Sequence, residues 1–308
     1  MKTAGDETVD SACDLCGPEI ELTRGGRLRL RHTQRDDVPG LRALYGQLTL
    51  RDLRRRFFTA GSPSDHFLEY WVGLEDQGGC GLVAEVIEDG QNDIVGEAGY
   101  AKLADHGSDG ELGITVAPKS RGWLGAWLLD RLLAHAHQRG IENLQAVVLV
   151  DNRTMMGLAA KRGYAVLGHL DWGTVRITMA TEGSVPSWPG GHEKPRVLIE
   201  TNHSRWLGEE ALTDAGFDIA LCGEWCRSGR ACPVFDGDAC PLLAGADAVV
   251  IDLPDAERIQ DLLNREEMIH PGIRYVSGLD EDGVRHRLSP ETVLEQLRDL
   301  LAEQADDD

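Results

Sequence analysis

The chain has 308 residues and a formal charge of −21, with 52 acidic side chains against 31 basic ones. General binding to DNA or to anionic membranes needs a basic surface, so both are disfavoured, and no apolar run approaches the ~20 residues of a membrane span. The first ten residues are polar and acidic, unlike a signal peptide. We therefore expect a cytoplasmic protein without nucleic-acid or membrane partners. Its length favours two domains, and its oligomeric state stays open.

Residues 1–21 are polar, and their marked feature is the pair Cys13 and Cys16. Two cysteines at this spacing can supply half of a zinc site or a redox disulfide. The other half of a zinc site would have to come from elsewhere in the chain. We therefore predict a disordered N-terminal tail with two incidental thiols.

Helix and strand patterns follow one another after the tail. The spacing of apolar residues predicts a strand at 27–31, a helix at 36–48, a helix at 51–58 and strands at 82–87 and 94–103. Thr49 is of the residue type that caps a helix start. Gly90 and Asn92 supply turn chemistry, so the last two strands should form a hairpin around 88–93.

The stretch from Glu111 to Tyr164 contains the chemistry. Its pattern predicts a strand at 111–116, a helix at 123–138, a buried strand at 146–150 and a short helix that ends at 163. Pro118 ends the first strand because it cannot donate to a ladder. Gly140 lies just past the long helix, as a helix stop does.

A turn between this strand and the long helix holds candidate phosphate-binding residues. It comprises Arg121, Gly122, Trp123, Leu124, Gly125 and Ala126. A helix start points backbone N–H groups at one place and adds the positive end of the helix dipole, which suits a pyrophosphate. Arg121 would add a bidentate cation. The alternative is that Gly122 and Gly125 merely shape a tight turn.

These residues resemble the acetyl-CoA signature of the GNAT family of N-acetyltransferases over about residues 22–181. The resemblance is carried by Val116-Ala117-Pro118, Arg121-Gly122, Leu124-Gly125, Leu128-Leu129, Asn152 and Gly163-Tyr164. In the family's Arg/Gln-x-x-Gly-x-Gly/Ala turn, Leu124 and Ala126 replace two residues unless one residue is deleted after Trp123. We prefer the deletion, because it also places the apolar residues of the helix correctly.

The resemblance implies a mixed α/β acyl-CoA N-acyltransferase fold that binds acetyl-CoA as cosubstrate. The implied cofactor-binding residues are Val116, Arg121, Gly122, Trp123, Leu124, Gly125, Ala126 and Asn152. The cofactor would enter between splayed strands at 111–117 and 145–150. A backbone N–H near Val116 would bind the thioester carbonyl.

The resemblance also suggests a branch and a mechanism. The run from Leu53 to Phe58, with Arg56, resembles the bacterial protein-lysine acetyltransferases (Pat branch) that modify acyl-CoA synthetases. Glu111 matches that branch's general base, and Asn152 matches a position that contacts the cofactor or organises water. Ala159 stands where many relatives have a tyrosine acid. A small-molecule amine N-acetyltransferase and a non-catalytic acetyl-CoA sensor remain alternatives.

A second domain is predicted after a linker rich in proline and glycine at 182–195. Strand patterns at 197–199, 217–221, 248–251 and 273–276 alternate with helices at 206–215, 255–265 and from Ser289 onward. This alternation predicts a small doubly wound α/β domain at 196–304, faintly similar to receiver or flavodoxin sheets. It carries no catalytic motif, so we expect a regulatory role.

A loop of the second domain carries Cys222, Cys226, Cys232 and Cys240. Their spacing matches no compact zinc or iron–sulfur pattern, and a metal site, a redox pair and reduced structural thiols all stay open. No role follows for Cys80, in a glycine-rich segment. His135 and His137 are predicted to be solvated.

Overall fold

The computed structural model describes residues 17–23, 25–104, 108–167, 173–183, 185–188, 194–202, 206–222 and 232–307, with side chains as far as 302. These residues form two compact units. The first unit falls within Met1–Ala101 and Gly113–His135, and the second within Lys102–Leu112 and Ala136–Asp308. In the described ranges, no helix combines the length and the apolar character that crossing a membrane requires.

The first unit consists of a sheet with helices on it. Its strands are β1 (Ile20–Glu21), β2 (Arg27–His32), β3 (Cys80–Glu88), β4 (Gln91–Lys102) and the end of β5 (Asp109–Val116), adjacent in that order. Its helices are α1 (Val38–Gly46), α2 (Leu50–Phe57), α3 (Asp65–Val72) and most of α4 (Leu124–Gln138). Short 3-10 turns at Arg35–Asp37, Leu74–Gln77 and Pro118–Ser120 complete it.

The two faces of this sheet bury different helices, because side chains alternate along a strand. On one face, α1 and α3 form a core with Val83 and Ile94. On the other face lies α4: a Cβ added to Gly96 of β4 would come within 2.9 Å of Leu128. Glycine at 96 therefore lets the helix approach the sheet closely.

The predicted elements of this unit are confirmed, with three corrections. The hairpin turn is only Asp89-Gly90, both with positive φ (51° and 78°), as a two-residue turn requires. Asn92 is thus not a turn residue but pairs with Ile87 inside β4. Helix α3, capped by Ser64, was not predicted. Strand β1 pairs with β2, so ordered chain begins before residue 22.

The second unit contains the remaining strands and helices. Its strands are the start of β5, β6 (Asn143–Leu149), β7 (Ala165–Leu167), β8 (Thr174–Ala180), β9 (Arg196–Thr201), β10 (Asp218–Cys222), β11 (Ala248–Asp252) and β12 (Tyr275–Ser277). Its helices are the end of α4, α5 (Arg153–Ala160), α6 (Glu209–Asp214), α7 (Pro233–Asp236), α8 (Pro241–Ala244), α9 (Ala256–Ile269) and α10 (Pro290–Asp307). The strand order is β5-β6-β8-β7-β10-β9-β11-β12.

The last four strands, β10-β9-β11-β12, are all parallel, so the first strand of this group lies between the second and the third. This is the arrangement of a doubly wound sheet and confirms the alternation predicted from the sequence. Part of the predicted linker packs against it. The Trp188 side chain is buried there, and its indole N–H donates to the Leu242 carbonyl at 2.7 Å.

A buried polar cluster fixes the register of β5 and β6. Asp109 accepts hydrogen bonds from Asn143 at 2.9 Å and from Gln145 at 2.7 Å. The two strands pair in parallel from Asp109 opposite Asn143 to Glu111 opposite Gln145. Burying a carboxylate is costly unless it accepts such bonds, so these three residues specify this register. The splaying of these strands stays a prediction.

Candidate active site

The turn predicted to bind phosphate joins the end of β5 to α4. The Ala117 N–H donates to the Val95 carbonyl at 2.8 Å, which holds the turn against β4. The first helical hydrogen bond runs from the Trp127 N–H to the Trp123 carbonyl at 3.0 Å, so Trp123 is the N-cap of α4. The N–H groups of the first helical turn lie beyond it, where a helix attracts anions.

Two residues of the turn show why its sequence is constrained. Gly122 has a φ of +116°, and a Cβ there would meet no heavy atom within 4 Å. Glycine is thus needed for backbone conformation rather than for space. Leu124 is buried, with its Cδ2 3.4 Å from a Cβ built on Gly96. It packs on the buried face of α4 together with Leu128. The register with one deleted residue stays a prediction.

Three residues of the turn face solvent. Arg121, Gly122 and Trp123 are exposed, and the Trp123 ring meets Trp127 edge to face with centroids 5.9 Å apart. The Arg131 guanidinium lies over the Trp127 ring, 5.6 Å from its centroid. The start of α4 therefore presents a cationic and aromatic surface to solvent.

Arg121 already has a partner within the first unit. Its Nη2 lies 2.9 Å from Asp52 Oδ1 on α2. Burial alone would raise the pKa of Asp52, but hydrogen bonds from Arg121 and Thr49 outweigh it and hold the pKa below its usual value. The sequence did not reveal this pair, because its two residues lie on elements far apart in the chain.

A buried charged network lies on the other face of the first unit's sheet. Glu97 of β4 is fully buried; its Oε1 accepts a hydrogen bond from the Tyr45 hydroxyl at 3.0 Å and lies 3.6 Å from Arg56 Nε. The Arg56 guanidinium lies 4.9 Å from the centroid of the Trp71 ring. Burial, followed by the charge of Glu97, raises the pKa of Tyr45.

Arg56 is central to this network and was noted in the sequence only as part of the Leu53–Phe58 run. A Cβ on Gly113 would lie 2.1 Å from Arg56 Nη2, so glycine at that point of β5 makes room for the guanidinium. Glu97 Oε2 and Arg56 Nη2 are buried, and neither has a hydrogen-bond partner among the described residues. The network thus retains capacity to bind one more polar group.

The two predicted catalytic residues lie in the second unit. Glu111 is exposed and is the last residue of β5 that pairs with β6. Asn152 is the N-cap of α5, and its side-chain oxygen accepts a hydrogen bond from the Met155 N–H at 3.3 Å. A capping role therefore accounts for an asparagine at this position. Neither catalytic assignment is decided by these contacts, and both stay predictions.

The cysteine loop lies partly outside the described residues, as do Cys13, Cys16 and Cys226. Cys222 and Cys232 are half-buried, and Cys240 is buried, which raises its thiol pKa to about 11. Among the described residues, these cysteines do not form a group of three donors close enough to share a metal ion. A metal in this loop therefore finds no support, and Cys240 is a poor thiolate.

A pair of buried carboxyl groups, which the sequence did not indicate, also lies in this unit. Glu200 is the penultimate residue of β9, and Glu266 lies on α9; both are buried. Burial raises the pKa of Glu200 to about 7, and burial together with the Glu200 charge raises that of Glu266 to about 11. The two groups therefore share at least one proton at neutral pH.

Part of the chain that includes the turn is similar to a known sequence family. Residues 48–164 match the sequence model of the acetyltransferase (GNAT) family. The match includes the whole α4 turn, Arg56, Glu97, Glu111 and Asn152.

Several solved structures are similar at low identity. The GNAT domain of S. lividans PAT is 23% identical with a TM-score of 0.47; the match covers 53% of this chain and 96% of that one. A ribosomal-protein-alanine N-acetyltransferase from Brucella melitensis is 22% identical, with a TM-score of 0.40 and coverage of 49% and 98%. A phosphinothricin acetyltransferase from Sinorhizobium meliloti, solved with AcCoA, is 18% identical, with a TM-score of 0.43 and coverage of 53% and 92%.

This similarity depends on the family sequence model and on the residues it spans. Strand β5, the turn with Gly122 at positive φ, and α4 with its buried leucines all lie inside the matched stretch. Over residues 48–164 the chain is therefore similar to the acetyltransferase (GNAT) family.

Proposed function

We propose that the chain is an acetyl-CoA-dependent N-acetyltransferase that transfers acetyl to a protein lysine. One observation supports the part of this proposal that concerns acetyl-CoA binding. The strand-to-helix turn at the start of α4, inside the matched stretch, combines a helix N-terminus, a glycine at φ +116° and an exposed arginine. This combination suits the pyrophosphate of coenzyme A.

In this proposal, the turn binds the cofactor through backbone and charge. The N–H groups at the start of α4 donate to the pyrophosphate, and Arg121 shares its guanidinium between Asp52 and a phosphate oxygen. Gly122 lets the ligand approach the backbone. A backbone N–H near Val116 binds the thioester carbonyl and stabilises the oxyanion that forms during attack.

The transfer itself needs a neutral amine, whereas a lysine is cationic at neutral pH. In the proposed mechanism Glu111 accepts the proton, directly or through water. The amine nitrogen attacks the thioester carbon, the new C–N bond forms and the C–S bond breaks. Ala159 cannot protonate the departing thiolate, so that proton comes from water. Asn152 keeps α5 in place and contacts the cofactor or a water molecule.

Protein lysine is the acceptor we favour, on the strength of the Leu53–Phe58 run. In the structure, Arg56 of this run is paired with Glu97 and surrounded by aromatic rings, so it shapes the first unit's interior. The Pat branch, the regulatory role of residues 196–304 and a cytoplasmic location remain part of the proposal. A small-molecule amine is the second candidate acceptor, for which the acidic charge of −21 is the supporting observation.

A transfer screen tests the proposal. Labelled acetyl-CoA is incubated with the full-length protein and either lysate proteins, including acyl-CoA synthetases, or a panel of polyamines, aminoglycosides and amino acids. Label on lysines of an acyl-CoA synthetase is the expected result. Label confined to free amines would replace the acceptor. Tight acetyl-CoA binding without transfer to any acceptor would favour the sensor alternative.

A charge reversal tests the cofactor site by its effect on acetyl-CoA binding. Arg121→Glu places a carboxylate against the pyrophosphate and should abolish most of the binding measured by calorimetry. Arg139→Glu, an exposed change of the same charge beyond α4, is the control. Unchanged acetyl-CoA affinity in Arg121→Glu would remove the turn as the cofactor site.

A further inference from the structure

Three metal-binding residues, two histidines and one cysteine, meet inside the first unit. His32 is the last residue of β2, Cys80 is the first residue of β3, and His135 lies near the end of α4. One nitrogen of each histidine and the Cys80 sulfur all lie within 4.8 Å of one another. These residues are far apart in sequence, and none belongs to the acetyl-CoA turn.

Their convergence follows from strand and helix periodicity. Cys80 pairs with Tyr100, and His32 pairs with Leu82, so by alternation the two side chains lie on the same sheet face. This is the face that α4 covers. His135 follows the buried Leu128 by seven residues, which is two helical turns, and therefore points to the same side of α4.

The backbone on either side of Cys80 packs closely against neighbouring residues. A Cβ on Gly79 would lie 2.4 Å from the Tyr100 carbonyl oxygen, and one on Gly81 would lie 2.3 Å from Thr33 Oγ1. Both neighbours must therefore be glycine for β3 to start here. This gives the glycine-rich segment a structural purpose, since it brings the Cys80 sulfur to the two imidazoles.

Burial and a nearby carboxylate complete the geometry. Cys80 and His135 are buried, whereas His32 is partly exposed and its Nδ1 contacts the Glu75 carboxylate. This contact does not have hydrogen-bond geometry in the structure. With an ion bound, the Glu75 carboxylate would accept the Nδ1–H and leave the Nε2 lone pair for the metal, an arrangement typical of metal-binding histidines. The partly exposed Glu75 and His32 also provide a path for an ion to enter.

We propose that His32, Cys80 and His135 bind one zinc ion. Two imidazole nitrogens and a thiolate are the donors that Zn²⁺ prefers, and they are a poor set for the hard ions Ca²⁺ and Mg²⁺. A tetrahedral zinc site needs its donors about 3.3–3.6 Å apart, so the three side chains close slightly around the ion. Water or the Glu75 carboxylate takes the fourth position, and the thiol releases its proton on binding.

The ion would have a structural function. It would tie β2 and β3 to the last turns of α4, whereas the acetyl-CoA turn lies at the other end of that helix, about 16 Å away at 1.5 Å per residue. Contacts within the protein are the alternative explanation of the cluster: the rings of His32 and His135 meet edge to face with centroids 5.3 Å apart. Zinc content decides between the two.

The test uses full-length protein produced with zinc in the medium and dialysed against zinc-free buffer. The cysteine loop could bind metal as well, so the key sample has Cys222, Cys226, Cys232 and Cys240 changed to serine. We expect that sample to retain one zinc per chain by elemental analysis. With Cys80→Ser added, the zinc should be lost. Zinc absent from the first sample, or retained after Cys80→Ser, would overturn the proposal.

Cobalt substitution and a variant of Glu75 make the test specific. Co²⁺ replacing zinc should give visible bands of tetrahedral intensity and a thiolate charge-transfer band that Cys80→Ser removes. Glu75→Gln should weaken zinc affinity 10–100-fold, as loss of a carboxylate behind a ligating histidine does, while the exposed Glu69→Gln should not. If Cys80→Ser does not fold, His32→Gln at the partly exposed position serves instead. Equal zinc affinity in His32→Gln and the parent protein would overturn the proposal.

Discussion

Arg121 Nη2 on the α4 turn lies 2.9 Å from Asp52 Oδ1 on α2, so the cation predicted for the pyrophosphate is already paired. Asp52 is itself held, because its Oδ2 accepts hydrogen bonds from the Thr49 hydroxyl at 2.7 Å and the Thr49 N–H at 3.1 Å. The capping box of α2 thus orients Arg121. The negative charge of Asp52 also offsets part of the positive charge that Arg121 would present to a phosphate.

The first prediction concerns this pair. Arg121→Ala should weaken acetyl-CoA binding about tenfold or more, because a charge-assisted hydrogen bond to phosphate is lost. Asp52→Asn should strengthen binding a few-fold, because the Arg121 charge is no longer balanced. Calorimetry at low and high salt measures both. Asp65→Asn, which breaks the comparable surface pair with Arg42, is the control and should change nothing. Weaker binding in Asp52→Asn would show that Asp52 chiefly positions Arg121.

The local features of this site could be predicted from the sequence, and the long-range ones could not. Thr49 as a cap, the turn at 121–126 and α4 all follow from residue types at short spacing, and the structure confirms them. The Asp52–Arg121 pair depends on how α2 packs beside the turn. No short-range pattern encodes such packing.

The second prediction concerns Gly122. Alanine there must adopt a φ of +116°, which should cost at least about 1 kcal/mol of stability and shift the turn backbone away from a bound pyrophosphate. We expect a lower melting temperature together with weaker acetyl-CoA binding. Gly157→Ala is a matched control: Gly157 is exposed inside α5, with no heavy atom near its Cβ, so alanine should stabilise by about 0.5–1 kcal/mol. A Gly122→Ala variant with unchanged stability would contradict the strained turn.

The burial of His135 could have been predicted from the sequence. It was predicted to be solvated, but it is buried, whereas His137 is exposed as predicted. Position 135 follows Leu128 and Leu132 at helical spacing, so the buried stripe of α4 already included it. Histidine is a polar residue, which favours an exposed position. The helical periodicity instead predicts burial, as the structure shows. By contrast, the Glu200–Glu266 pair joins a strand and a helix that only tertiary structure brings together.

The third prediction concerns pH and this carboxyl pair. Both folded pKa values lie above the ordinary 4.5, at about 7 for Glu200 and about 11 for Glu266. The native state therefore binds more protons than the unfolded state above pH 4.5. The free energy of unfolding should therefore fall as pH rises from about 4.5 to about 7, because Glu200 keeps its proton only in the folded state over that range. It should continue to fall above pH 7, because Glu266 is still protonated in the folded state. Thermal unfolding across pH 5–9 measures this fall.

Glu266→Gln tests the cause of that fall. The neutral amide keeps the shape of the protonated acid and cannot ionise, so the variant should be more stable than the parent at pH 9 and less sensitive to pH. Glu267→Gln changes the exposed neighbour on α9 and should leave the pH profile as it was. A profile equally steep in Glu266→Gln would exclude the pair as its origin.

The last prediction concerns the general base. Glu111→Gln retains shape and hydrogen bonding but cannot accept a proton, so the transfer rate should fall about 10²–10⁴-fold. Acetyl-CoA affinity should hardly change, because the proposed phosphate contacts lie on the α4 turn. The loss should shrink as pH rises, since more of the acceptor amine is then neutral without help. Steady-state rates across pH, together with calorimetry, separate these effects.

Glu97→Gln provides the matched comparison, because Glu97 is a second carboxylate within the family-matched stretch. It is fully buried, accepts a hydrogen bond from Tyr45 and forms an ion pair with Arg56, so its negative charge is already paired. Its amide variant should lose stability, since Arg56 would remain buried without its counter-charge, and its remaining activity should keep the parent's pH profile. If instead Glu111→Gln turns over normally and Glu97→Gln shows the pH-dependent loss, the base is Glu97 and Glu111 is a surface residue at the end of its strand pairing.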